Sequence, residues 1–328
     1  MNNILKKRTS VLVRTAIVMV SVILQVLTMF LLVRLLQEYA SWAYLLIEIA
    51  SIAVVFVLVD NSSSFNSFWI VIILALPVFG YCLYFMWGRK HTNSAFYKKY
   101  KKISEKGREY KPQDPAILAE LAEMHPNKAQ VSRYLVQEGF SVYKNTSVRY
   151  FDVGEKKFDA LFEDLEKAEK FIFLEYFIVS NGEIWDRLKQ VLARKAVQKV
   201  EVRLLLDDFG CLFMDGDEIR HELAKLGIRV SIFAPIVKDV SRLTFNYRNH
   251  QKIAIIDGNI GYTGGVNLAD EYANIIERFG HWKDTAIRME GDGVWGLTEI
   301  FLEMWELSKE KERLDYNKYR PTISVDAP

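Results

Sequence analysis

The spacing of apolar positions divides this chain in two. From Ala16 to Val33 (AIVMVSVILQVLTMFLLV) eighteen residues pass without a charge, and from Ser67 to Trp87 twenty-one do. At ~1.5 Å rise per helical residue these runs reach roughly 27 and 31 Å, close to the hydrocarbon thickness of a bilayer. Trp42 to Val59 is equally apolar except for Glu48, whose role stays open between pairing with Arg34 and facing another helix. Trp and Tyr near the run ends suit membrane interfaces. The pattern predicts N-terminal transmembrane helices, two to three spans near 11–36, 41–60 and 67–88, in a membrane region 1–88. A cleaved signal peptide does not fit, because no small-residue cleavage site follows the first run and more apolar runs come after it.

From Pro112 the spacing becomes that of a globular domain, expected over 113–328. Pro115 to Met124 and Asn127 to Glu138 read as short helices. Val148 to Val153 reads as a strand, and Glu155 to Lys170 as a helix with Phe158, Leu161, Phe162 and Leu165 on one face. Phe171 to Val179 (FIFLEYFIV) is almost continuously apolar, as a strand buried on both faces should be. Further helices are expected at Glu183 to Lys199, Glu218 to Leu226 and Val294 to Lys309, and strands at Val200 to Leu206, Arg229 to Phe233 and Lys252 to Asp257. This alternation argues for an α/β sandwich.

Composition adds little until its distribution is considered. The chain is 50% apolar and 26% charged, with a formal net charge of +2. Cys82 and Cys211 are too few and too far apart for a disulfide framework or a zinc site. Residues 89–112 are strongly basic and read as a juxtamembrane linker, while the connection from Asp60 to Asn66 holds no Lys or Arg. The positive-inside bias therefore places Arg89 onward, and the domain it leads into, in the cytoplasm. Three full crossings would then put the N-terminus outside, against the preference of Lys6, Lys7 and Arg8. The same basic run attracts anionic headgroups by about 1 kcal/mol per basic residue near the surface.

The candidate chemistry lies in NYRNHQKIAIIDGNIGYTGGVN, Asn246 to Asn267. Strand alternation puts His250 and Lys252 on one face and Ile253 and Ile255 on the other. Gly264 and Gly265 permit close backbone approach, and Asn267 supplies an amide donor. Such a set suits a phosphate, with cation and amide holding oxygens while a histidine nitrogen attacks phosphorus.

The spacing H-x-K-x4-D-x6-G-G-x-N, carried by His250, Lys252, Asp257, Gly264, Gly265 and Asn267, resembles the signature of the phospholipase D superfamily, and with glycine at 265 it resembles the first motif of bacterial cardiolipin synthases. KAEKFIFLEYFIVSNGEIW, VEVRLLLDDFG and HWKDTAIRMEG are similar to the same family. The resemblance implies a phospholipase D-like α/β sandwich, of which one repeat is present. It also implies transfer of a phosphatidyl group between two phosphatidylglycerol molecules through a phosphohistidine-type intermediate, with release of glycerol. His250 would be nucleophile or acid/base partner, Lys252 would bind phosphate with Asn267 assisting, and Asp257, Gly264 and Gly265 would support them. Neither metal nor cofactor is implied. The implied partners are anionic phospholipid and the membrane, not nucleic acid, in a multi-pass protein of the bacterial cell membrane.

The chain departs from that family in carrying one motif where two build a site. Displacement at phosphorus needs a nucleophile on one side and an acid for the leaving oxygen on the other. His281-Trp282-Lys283 echoes the motif, but Arg288 stands at the aspartate position and no glycine pair follows. Three expectations follow: a fragment whose second half lies beyond Pro328, which the polar PTISVDAP ending suits; two chains pairing their motifs; or an inactive, lipid-binding chain. Water as acceptor, giving a hydrolytic phospholipase D, fits the same residues. Asp207-Asp208 reads as a turn cap before a metal pair, and Glu175 as a buried carboxyl in need of a partner on a pocket wall.

Overall fold

The computed structural model describes residues 95–327 except 112, 212–213, 215, 236–247, 279 and 310–311, together with residues 63–84 and shorter stretches between 16 and 52. The spans expected near 11–36 and 41–60 lie largely outside the described residues. Of the third, the structure describes α1 (Ser63–Ala75) and α2 (Pro77–Leu83). The break falls at Leu76, where Pro77 follows and cannot donate a backbone hydrogen bond. The Oε1 of Gln25, from the first apolar run, accepts from the Phe79 N–H at 3.0 Å. Among the described residues no helix is long and apolar enough to cross a membrane.

The globular region is a mixed seven-stranded sheet with helices on both faces, the α/β sandwich expected from the alternation. Its strands are β1 (Thr146–Phe151), β2 (Phe171–Tyr176), β3 (Glu201–Asp207), β4 (Arg229–Phe233), β5 (Lys252–Ile256), β6 (Ile260–Gly264) and β7 (Ala286–Gly291), in the order β1-β7-β6-β5-β2-β3-β4. Parallel pairing joins β2, β3 and β4; the remaining pairs are antiparallel. Strands β6 and β7 were not expected. IGYTG and AIRMEG are short, interrupted by glycine and polar at alternate positions, so the pairing of β6 with β5 defines them more than propensity does.

Two cores result. On one face α6 (Gly154–Glu166), α7 (Glu183–Val197) and α8 (Gly216–Lys225) pack on Ile172, Leu174, Val202, Leu204, Ala254 and Ile256. The predicted stripe Phe158, Leu161, Phe162 and Leu165 is buried there, each residue contributing on the order of 2 kcal/mol. On the other face α9 (Val294–Ser308) lays Trp295, Phe301 and Trp305 over Phe171, Phe173, Ile253 and Ile255, with Phe301 stacked on Phe173 at 4.6 Å.

The stretch read as a basic linker is helical over α3 (Ala95–Arg108) and packs on α9. Lys106 pairs with Glu306 at 2.8 Å, Lys111 with Glu303 at 2.9 Å, and Lys99 donates to the Leu307 carbonyl at 2.7 Å. Gly107 makes room for this contact, since a Cβ there would lie 2.0 Å from a Glu303 oxygen. After α3 come two short helices, α4 (Pro115–Met124) and α5 (Pro126–Gln137), each begun by proline at its first position.

Candidate active site

The motif begins where β5 begins, in the middle of the sheet. Because β5 runs antiparallel to β2, its start meets the carboxyl ends of β2 and β3. Asn249, buried just before β5, fixes that start from three sides. Its N–H donates to Asp207 at 2.9 Å, its side-chain amide donates to Glu175 at 2.5 Å, and its side-chain oxygen accepts from the Gln251 N–H at 3.1 Å. Asp207 also accepts from the Phe209 and Gly210 N–H groups, the turn-capping role expected of it, and Arg248 lies 3.6 Å away. Burial raises the Asp207 carboxyl above its usual range. Glu175 is fully enclosed, and burial pushes it to about 8.

One residue on, His250 is exposed, its ring edge-on to Phe177 at 4.6 Å. Lys252 is buried and donates to the His250 carbonyl at 2.6 Å, with its ammonium 5.4 Å from the Phe177 ring. The two therefore occupy one end of one strand, while Ile253 and Ile255 enter the α9-side core as the alternation requires. Partial burial and then the Lys252 charge hold the imidazole below its usual pKa, which favours its neutral form at neutral pH. Burial also lowers Lys252, an effect opposed by the Asp284 carboxylate.

Asp284 carried no weight in the sequence reading, although HWKD contains it. The structure brings it beside the motif through the glycines: a Cβ on Gly265 would fall 2.0 Å from an Asp284 oxygen, and one on Gly264, at φ +152°, would strike the Thr285 carbonyl at 2.3 Å. Asn267 is buried and accepts from the Ile178 N–H at 3.0 Å, tying the motif loop to the end of β2. Across the strand pair from Lys252 stands Tyr176, whose hydroxyl meets Lys157 Nζ at 3.1 Å. Lys157 is buried, has no carboxylate partner among the described residues, and is pushed by desolvation to about 7.

Asp257 is not brought to this place. It lies at the opposite end of β5, roughly 23 Å of extended chain from His250. Its carboxylate accepts the N–H groups of Glu169, Lys170 and Phe171 at 2.9, 2.7 and 2.8 Å, fastening the start of β2. The echo around His281 is also structural. Arg288 lies on β7 and pairs with Asp164 at 2.7 Å and Glu290 at 2.6 Å, while Tyr262 donates to the same Asp164. The site is thus a neutral imidazole and a half-screened ammonium on one rim, backed by an amide and a carboxylate. It suits an anionic, tetrahedral group.

Comparison with known proteins finds matches in both regions of the chain. Residues 161–276 match the family described as cardiolipin synthase, PLD-like domain, and residues 46–89 match the phospholipase D-nuclease N-terminal family. A cardiolipin synthase of Oceanobacillus iheyensis is 34% identical over 273 residues, covering 81% of this chain and 56% of that protein. One of Listeria monocytogenes is 32% identical over 295 residues, covering 88% and 61%. The chain therefore spans rather more than half the length of these relatives. Nuc of Salmonella typhimurium, a phospholipase D family member, aligns at 16% identity and a TM-score of 0.37, covering 51% of this chain and 95% of that one.

Proposed function

We propose that this chain, whose residues 161–276 match the cardiolipin synthase PLD-like domain and which is similar to cardiolipin synthases over most of its length, supplies one half of a phosphatidyltransferase site that makes cardiolipin from two phosphatidylglycerol molecules. The observation that carries the reading is the pairing of an exposed, neutral His250 with Lys252 on one strand end. A ring nitrogen of His250 attacks phosphorus, the bond to the glycerol oxygen breaks, and glycerol leaves with a proton from a general acid. A hydroxyl of a second phosphatidylglycerol then displaces the histidine, giving up its proton to the same group. Lys252 and Asn267 hold the non-bridging oxygens, whose charge grows in each transition state. Gly264 and Gly265 keep the loop close, and Asp257 acts through the fold.

The general acid belongs to a second H-x-K half, on a longer protein or on another chain, since both sides of phosphorus need a group. The apolar region before residue 89 anchors the domain at the cytoplasmic face of a bacterial cell membrane, where the substrate lies. The test is to supply labelled phosphatidylglycerol to membranes holding a protein with both halves. Cardiolipin and free glycerol should form in equal amounts, and His250→Ala should abolish both. An unchanged yield would overturn the assignment of His250. Turnover by the purified 328-residue chain as a strict monomer would overturn the need for a second half; water in place of the lipid acceptor would give phosphatidic acid.

A further inference from the structure

Helices α4 and α5 add almost nothing to either core. PAILAELAEM buries none of its residues, and α5 buries only Ala129. Instead α5 presents Val131, Tyr134 and Leu135, at i, i+3 and i+4, on one exposed face, with Val131 60% and Tyr134 61% accessible. Gly139 ends the helix at φ +95°, and the Phe140 N–H returns to the Leu135 carbonyl at 2.9 Å. That closure folds Phe140, 53% accessible, back beside Leu135 and lengthens the apolar row. Apolar rows of this kind on a protein surface mark a place of contact.

We propose that the α4–α5 hairpin lies on the bilayer surface, with Val131, Tyr134, Leu135 and Phe140 set among the headgroups. This rests on the membrane-anchored reading above. Several observations favour lipid over protein as the occupant. The hairpin follows α3, which itself follows the apolar run ending at Trp87, with fewer than thirty residues between that run and Pro115. Its end is tied to the end of α3, through Arg108 to the Glu138 carbonyl at 3.5 Å and Ser141 to the Lys111 carbonyl at 3.2 Å. Along α3, exposed Lys98, Lys101 and Lys102 alternate with exposed Tyr97 and Tyr100. Lys128 continues the basic character one turn before Val131. Basic residues with tyrosines around an apolar row are the make-up of an interfacial helix, attracted by anionic lipid and anchored by ring amphipathicity.

The experiment places a bimane label on the full chain, in a Cys82→Ser background, at Tyr134→Cys, at Phe140→Cys and at the control Val197→Cys, an exposed position at the end of α7. Each is reconstituted into vesicles of equal phosphatidylglycerol and phosphatidylcholine carrying a shallow doxyl quencher. Quenching at 134 and 140 several-fold stronger than at 197 is expected. Co-flotation with the vesicles but equal quenching at all three sites would overturn the hairpin's role and leave the membrane anchor standing. Crosslinking between two Tyr134→Cys chains in place of quenching would overturn it in favour of a second copy. Failure to co-float would remove the anchor and the proposal together.

Discussion

Lys252 holds the carbonyl of His250 at 2.6 Å, so the cation that lowers the imidazole's pKa is braced by the backbone that carries that imidazole. Their separation is set within three residues of one strand, not by a loop. Replacing Lys252 with methionine should raise the His250 pKa, seen as an upward shift in its imidazole NMR titration, because a neighbouring positive charge is lost. Turnover by a protein with both halves should fall by about 100-fold or more, the scale for removing one donor to a developing oxyanion. An unmoved titration would contradict the coupling.

Asp257→Asn tests a different role. The carboxylate accepts three backbone N–H groups at the start of β2, so the substitution should lower unfolding free energy by about 1–3 kcal/mol. Activity per folded molecule should remain near normal. Chemical denaturation followed by assay of the folded fraction separates it from His250→Ala, which should lose activity without losing stability.

Glu175 should impose a pH slope on stability. Its folded pKa is raised to about 8 against an ordinary 4.5, so the folded state holds a proton that the unfolded state releases between those values. Its contribution is full below the lower value and is lost as pH rises through the higher. Glu299 on α9, also pushed to about 8 by burial, acts in the same window. Urea unfolding at pH 5 and pH 8 should show a smaller loss in Glu175→Gln than in the parent, and a smaller one again in the double variant with Glu299→Gln.

Lys157 should give the opposite slope. Burial lowers its pKa to about 7 from 10.5, so between those values the unfolded state binds a proton that the folded state does not, and stability rises with pH. Lys157→Met should flatten that rise and make the protein more stable than the parent near pH 6. A steeper rise in the variant would contradict the burial.

Arg288→Met should strand Asp164, which lies nearly buried between Arg288 and Tyr262. A loss of about 3 kcal/mol is expected by thermal or urea unfolding. In the phosphatidylglycerol turnover assay His281→Ala and Lys283→Ala should leave turnover unchanged. A large loss from either would restore the second-motif echo as chemistry.

The elements that sequence made legible are those whose burial is one-sided or complete. FIFLEY is apolar but for Glu175 because both of its faces are covered, and the Phe158 stripe has helical spacing because a sheet lies under it. His250 and Lys252 share an end because they lie two residues apart where β5 begins. The place of Asp257 was not legible, because a motif lists residues by spacing whereas a strand of that length separates its ends. Asp284 left no local trace, since it reaches Gly265 only through the pairing of β6 with β7. The α3 helix looked like a solvated linker because lysine counts as solvent-facing until a facing acid row, here Glu303 and Glu306, is in place.

The start of β5 meets the ends of β2 and β3 in the centre of the sheet, hydrogen-bonded to a neighbour on each side. A strand so enclosed cannot tilt or slide to follow its substrate. The connections leaving β2 and β3 are pinned beside it in turn, Ile178 and Ser180 to the Asn267–Leu268 segment and Asp208 to the Phe233 carbonyl. On the proposed reading, a strand end and two connections held this firmly would have to have their shape complete before any substrate arrives.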